Sequence, residues 1–441
     1  MLRAGGGASL PARARRNSPQ TPLPPRSSAG LMVLTDHIQK HIALHMIKIP
    51  TNYAKTLPWR NFLGGADFIS KADALMRAFA EAVERYVYLI YRQNDLVFGK
   101  YSELENKAIS PRDFLLQRHG NRLLEANLEI EQATFGWANV EYYPGGTAIL
   151  IPAQLVFWNY HRLPAEPRLR ESNTNGAAVH KTENLAIQSA ILELIERDAF
   201  MNAWFANLSP EHIELDSLPT TLRCKAAIDT LARSSLQLIL LLIPTDFKVP
   251  VVCAVIIDSK DPGPGVCFSA ASGLNLDETI EKAIREVLTV YTVERHRKTA
   301  KAKIASFDLL DNLSKSDLEF LSFAGRMELF WSKKTPPWLT SFLGGVRRSY
   351  IEVEKKFTQL EIRDVTSRFK DFQYQIFVHR AKTEFLRSSG LHAVKAIVPE
   401  LQPLYLDEKR RGYNTRRLQE YCEHLKIQIP ESVNLYPHPF P

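Results

Sequence analysis

One pattern constrains this chain more than any other, and it occurs twice. From Thr174 to Phe200 the sequence runs TNGAAVHKTENLAIQSAILELIERDAF. Leu185, Ile187, Ile191, Leu194 and Ile195 recur at helical spacing behind Thr182, a residue type that caps helix N-termini by accepting a backbone N–H. On that helix Ala186, Ala190, Glu193, Glu196 and Arg197 fall on one stripe, because each residue turns the chain by about 100°. The same order returns at Ala74, Ala78, Glu81, Glu84 and Arg85. A partial third copy has Thr279, Ala283 and Glu286, with Lys282 supplying the cation.

Either stripe alone reads as a solvated helix face. Two copies with matching alanines read differently, since a solvent face has no need of small residues beneath its charges. If the stripes converge, Glu81, Glu84, Glu193, Glu196 and Glu286 crowd one site. Carboxylates so placed take up protons unless cations hold them ionised. Mg2+ suits this task, because it takes oxygen ligands and completes its shell with water and phosphate. Arg85, Arg197 and Lys282 would then meet phosphate charge. The residues alone therefore point to a magnesium–nucleotide site built on helix faces. No G-x-x-x-x-G-K-[ST] and no usable G-x-G-x-x-G is present, so a glycine loop does not hold the phosphates.

Thr174-Asn175-Gly176, followed by the Thr182-capped helix with E-L-I-E-R-D, resembles the signature of the YcaO-domain family. The resemblance runs from about Leu57 to the last residue. It implies ATP and Mg2+ as cofactors and ATP-driven activation of a peptide-bond oxygen. It also implies that the two E-x-x-E-R helices and a later R-A-x-x-E helix hold magnesium and nucleotide, with Asn175 near the nucleotide. Two positions depart from the family: Lys282 stands where Arg is usual, and His180 where Gly is usual. The first keeps a charge but loses a bidentate fork; the second alters the loop before the helix.

Around this centre, Phe135 to Val140 and Ala148 to Val156 alternate or run apolar like strands. Leu236 to Ile243 and Val249 to Asp258 read as paired strands about a turn at Asp246 to Lys248. Cys267 to Gly273 leads into the third helix, with Asn275 or Asp277 as its cap. Short helical patterns lie at Ser316 to Phe323 and Ser349 to Lys356, and strand patterns return at Tyr374 to His379 and Ala393 to Val398. This mixture implies an α+β or α/β fold of mixed sheets packed with long helices, not a Rossmann fold. Cys224, Cys253, Cys267 and Cys422 lack C-x-x-C spacing, which argues against a zinc site and fits a reducing cytoplasm. Cys253 reads as a buried strand residue.

The first fifty residues carry +6 of the net +8, with no acid before Asp36, and are rich in Gly and Pro near their start. They read as a disordered extension, a transit peptide, or a start set too far upstream of Met32 or Met46. Residues 51–441 read as the YcaO domain. A body of +2 gives no general case for nucleic-acid binding, and its longest apolar run, Val251 to Ile257, is too short for a membrane.

Two segments near the C-terminus refine the resemblance. Pro399-Glu400-Leu401-Gln402-Pro403-Leu404 resembles the V-P-G-L-Q-P-L of azoline-forming YcaO proteins, with Glu400 where Gly is usual. The chain closes on Pro437-His438-Pro439-Phe440-Pro441. Alternating prolines stiffen such a tail and carry its end to a fixed place at low entropic cost. In the azoline-forming branch this ending enters the active site. The resemblance therefore implies a cyclodehydratase that turns Cys, Ser or Thr of a ribosomally made precursor peptide into thiazoline or oxazoline, in bacteriocin-like biosynthesis. The Pro441 carboxylate is the expected base, with His438 a second candidate for proton transfer or, alternatively, packing. Expected partners are the precursor peptide, a separate leader-binding protein resembling ubiquitin-activating enzymes, and a flavin-dependent azoline dehydrogenase. A thioamide- or amidine-forming ligase and a non-catalytic scaffold stay open.

Overall fold

The computed structural model describes residues 43–48, 62–117, 130–158, 160–259, 263–302 and 313–441. The long stripe-bearing segments are helices: α1 (Lys71–Leu89), α2 (Glu183–Phe205) and α3 (Leu276–Ala302). Each begins at a short polar cap. Ser70 accepts from Asp73 N–H (3.1 Å), Thr182 from Leu185 N–H (3.4 Å) and Asn275 from Glu278 N–H (3.1 Å). Such a cap contributes about 1 kcal/mol, so burial must supply most of what holds a helix this long. In α2 every residue from Asp198 to Phe205 is buried, as expected of a helix that is apolar nearly all round.

The reason is its place between two sheets. One is six-stranded, in the order β3 (Val97–Lys100), β4 (Thr134–Tyr143), β12 (Ile376–Arg380), β13 (His392–Ile397), β6 (Ala177–His180), with β5 (Ala148–Pro152) also pairing with β4. The other is five-stranded, in the order β10 (Val266–Ser272), β9 (Val251–Asp258), β8 (Leu236–Leu242), β7 (Glu211–Ile213), β11 (Arg347–Arg348). Helix α2 packs on β13 and β6 of the first and on β10 of the second, while α3 covers β9 and β10. Helix α1 lies against β6 and a hairpin of β1 (Ala43–Lys48) and β2 (Phe62–Asp67).

The α+β reading, the turn at Asp246 to Lys248 and the buried Cys253 all hold. All four cysteines are free and buried. Two expectations need correction. Ala43–Lys48 falls within the segment read as an unfolded extension, yet its backbone pairs antiparallel with Phe62–Asp67; a strand whose ladder partner lies about twenty residues away is invisible to local composition. The other residues before 51 lie outside the described residues. The helix expected at Ser316 to Phe323 is two short ones, Lys315–Leu318 and α4 (Phe323–Leu329), because Ser314 and Ser322 each cap a new start. The last helix, α5 (Thr415–Leu425), closes on α2.

Candidate nucleotide site

The stripes of α1, α2 and α3 face one cleft of about 960 Å³. Glu81, Glu84, Arg85, Asn175, Glu193, Arg197, Lys282, Glu286 and Pro441 all line it. The alanines beneath the charges, Ala74, Ala78, Ala186, Ala190 and Ala283, have no exposed surface, so they set helix packing and leave the charged side chains to form the wall.

The Asn175-Gly176 turn joins the helices. Gly176 adopts φ +76°, and a Cβ there would stand 2.4 Å from the Ala396 carbonyl, so only glycine fits. Its N–H donates to Glu193 Oε2 (3.0 Å). Glu193 Oε1 accepts from Arg197 (3.1 Å), whose other nitrogen lies 2.9 Å from Glu196. Lys282 Nζ lies between Glu196 (3.7 Å) and Glu286 (3.9 Å). On α1, Arg85 pairs with Glu81 (3.3 Å) and donates to Thr174.

Burial first, and crowding after it, raise two of these carboxyls. Burial, opposed by Arg85 and reinforced by Glu193 and Glu81, pushes the Glu84 carboxyl up to about 8. Burial, opposed by Arg197 and Lys282 and reinforced by Glu286 and Glu193, pushes Glu196 up to about 7. Additional positive charge would relieve both.

Two predicted residues stand off the wall. Glu196 lies one layer deeper, 1% exposed, with Oε2 accepting from the Ser272 N–H (3.1 Å). His438 is fully buried. Its Nε2 lies 2.8 Å from Arg326 Nη1 and 3.0 Å from the Tyr405 carbonyl; it accepts from the guanidinium in the Nδ1–H tautomer and would donate to the carbonyl in the Nε2–H tautomer. Burial, with Arg326, holds this imidazole well below its ordinary pKa.

Sequence reasoning missed Lys395. It is buried on β13, donates to the Asn173 carbonyl (2.6 Å), and is pushed down to about 7 by burial, against the pull of Glu193 and Glu84. A lysine inside the apolar run AVKAIV was the available signal. Also missed was an anchor below the site: Arg417 on α5 makes bidentate contacts to Asp198 of α2 (2.5 and 2.9 Å) and to Asp246 (2.7 Å each), all fully or nearly fully buried.

The donor set suits a hard divalent ion with a polyphosphate. Oxygen donors dominate, and the buried Arg85 Nε and Arg197 Nε find no acceptor within the protein. Among the described residues, no three His, Cys, Asp or Glu side chains are close enough to grip a metal unaided. An ion here would complete its shell from phosphate or water, as Mg2+ does.

A family model described as YcaO cyclodehydratase, ATP- and Mg2+-binding, matches residues 68–402. The chain belongs to the YcaO family. ATP and Mg2+, the ligands of that family, are the cofactors its cleft is built to take. An uncharacterized protein of Methanothermobacter thermautotrophicus is 23% identical over 359 residues, covering 79% of this chain and 83% of that one. Among solved structures, a heterocyclase in complex with substrate and cofactor superposes with TM-score 0.68 at 18% identity, covering 90% of this chain and 52% of that one. The YcaO from Methanopyrus kandleri bound with AMPPCP and Mg2+ gives 0.56 at 17%, covering 86% and 88%. The E. coli microcin synthetase McbBCD complex with pro-MccB17 bound gives 0.59 at 13%, covering 93% and 96%. These likenesses show that the YcaO fold is shared. The chain spans about half the length of the first heterocyclases it matches. Among the described residues no helix is long and apolar enough to cross a membrane.

Proposed function

We propose that this YcaO protein is an ATP-dependent cyclodehydratase of peptides, acting in the cytoplasm on Cys, Ser or Thr of a ribosomally made precursor. One observation carries the reading: Phe440 and Pro441 share a single cleft with the charged stripes of all three helices. A reaction that needs both a phosphoryl donor and a proton acceptor finds both there. Magnesium-bound ATP supplies the phosphoryl group that turns an amide oxygen into a leaving group. Glu81, Glu84, Glu193 and Glu286, with Glu196 behind them, would hold the metal. Arg85, Arg197 and Lys282 offer fixed positive charge to phosphate oxygens, and Asn175 borders the same space.

The substrate side chain adds to the preceding carbonyl carbon and gives up its proton to the Pro441 carboxylate. That addition closes the ring; the former carbonyl oxygen takes the phosphoryl group, and its departure as phosphate, with loss of the amide proton, forms the C=N bond, so the peptide loses one water overall. An ordinary α-carboxyl is a weak base at neutral pH, so positioning must supply its efficiency. The resemblance to the azoline-forming branch further suggests a separate leader-binding protein and a flavin-dependent dehydrogenase as partners in the making of azole peptides.

The test combines the protein with its leader-binding partner, precursor and Mg-ATP, and follows peptide mass. Successive losses of one water mass are expected; a sulfide requirement with a thioamide product would identify the other YcaO ligase chemistry instead. Glu196→Ala should abolish phosphate release, and deleting Phe440 and Pro441 should abolish ring formation. Normal products from either variant would overturn the assigned roles.

A further inference from the structure

One buried side chain meets the tail at two of its last residues. Arg326, on α4, has no exposed surface. Its Nη1 donates to His438 Nε2 (2.8 Å) and to the Tyr405 carbonyl (3.2 Å), and its Nη2 donates to the Phe440 carbonyl (3.0 Å). Its charge is met by Glu408 (3.4 Å), which Arg411 also grips. The prolines at 437, 439 and 441 have no N–H to anchor the tail. An arginine has only donors, so the tail's carbonyls and imidazole are what it can grip, and Arg326 meets one of each at once.

The clamp extends its influence to the cleft. With its carbonyl fixed, Phe440 lays its ring against the Arg197 guanidinium (4.3 Å) and packs on Phe200 of α2 (4.8 Å between ring centres). Arg197 is thus braced on one side by Phe440 and on the other by Glu193 and Glu196. Pro441 is delivered to the cleft wall.

We infer that Arg326 is a positioning residue that, through His438 and the Phe440 carbonyl, sets both the aim of Pro441 and the orientation of Arg197. His438 then acts as the clamp's acceptor. That the clamp affects turnover rests on the tail's role proposed above; the clamp itself does not.

A lysine at 326 keeps the charge opposite Glu408 but cannot reach His438 and the Phe440 carbonyl together. The test therefore uses Arg326→Lys, with His438→Ala as a second variant that removes only the side-chain acceptor. 4-Fluorophenylalanine at 440 reports ring placement by 19F NMR. In the parent protein one dispersed resonance is expected; both variants should shift it toward the free amino acid while the thermal transition stays cooperative. Kinetics with partner, precursor and Mg-ATP should show kcat reduced at least tenfold and KM for ATP changed less than threefold. An unshifted 19F resonance in Arg326→Lys would overturn the clamp. If deleting Phe440 and Pro441 leaves turnover intact, the tail's catalytic role fails, and the 19F result alone still decides whether Arg326 places the tail.

Discussion

At the residue scale, two positions show how the site depends on groups that touch no ligand. Gly176 combines a left-handed backbone with a contact that leaves no room for a Cβ. Gly176→Ala should destabilise the protein by about 2–4 kcal/mol, read from urea unfolding, and should weaken Mg-ATP binding because the Asn175 turn and the Gly176 N–H to Glu193 move together. His379, on β12, packs edge-on against Tyr88 and Phe157 and is pushed down to about 4 by burial, with Lys395 and Lys382 nearby. Its folded pKa lies below the unfolded value, so the unfolded chain binds more protons between about pH 6.5 and pH 4. Stability from this group is complete above about pH 6.5 and is lost as pH falls through that window, by up to about 3 kcal/mol. His379→Phe should flatten the fall in unfolding free energy across that window; an unchanged slope would place the acid sensitivity elsewhere.

At the element scale, α2 ties the molecule together, and its motif divides its labour by face. Glu193 and Arg197 look to the cleft, Glu196 lies just behind, and Asp198 faces the opposite way to meet Arg417 of α5 and, through it, Asp246. The E-R-D order therefore carries a ligand face and an anchoring face one residue apart, where a helix turns by about 100°. Removing the cation leaves two buried carboxylates facing only the Gln402 N–H and the His424 ring, so Arg417→Met should cost about 3–5 kcal/mol. Differential scanning calorimetry measures this, and a change below about 1 kcal/mol would show that the network is dispensable. The ion-pair contacts were not readable beforehand, because Asp198, Asp246 and Arg417 lie far apart in the chain and nothing local distinguishes a buried arginine from the many exposed ones.

At the scale of the whole molecule, three helices from distant parts of the chain bring like charges to one cleft, and repulsion among them is part of the uncomplexed protein's energy. A ligand that carries Mg2+ relieves this and binds only the folded form. Mg-ATP at about a hundred times its Kd should therefore stabilise the protein by about 2.7 kcal/mol, seen as a rise in Tm. Mg2+ alone or ATP with EDTA should give a much smaller rise, and Glu193→Ala should remove most of it. Equal shifts with and without metal would contradict a metal-bridged nucleotide.

The helices, their caps and their charged stripes were determined by the sequence alone, because capping and helical periodicity are local and act within a few residues of the groups concerned. So was the pairing of Leu236–Leu242 with Val251–Asp258 about a short turn. Only the tertiary structure decided that Lys395 lies buried near Glu84 and Glu193 and that Glu196 withdraws from the site's surface. It alone showed that buried Arg326 meets both His438 and the Phe440 carbonyl of the tail. Each of these depends on which distant segments meet, and that is fixed by the packing of two sheets against α2, a property no single stretch of chain contains.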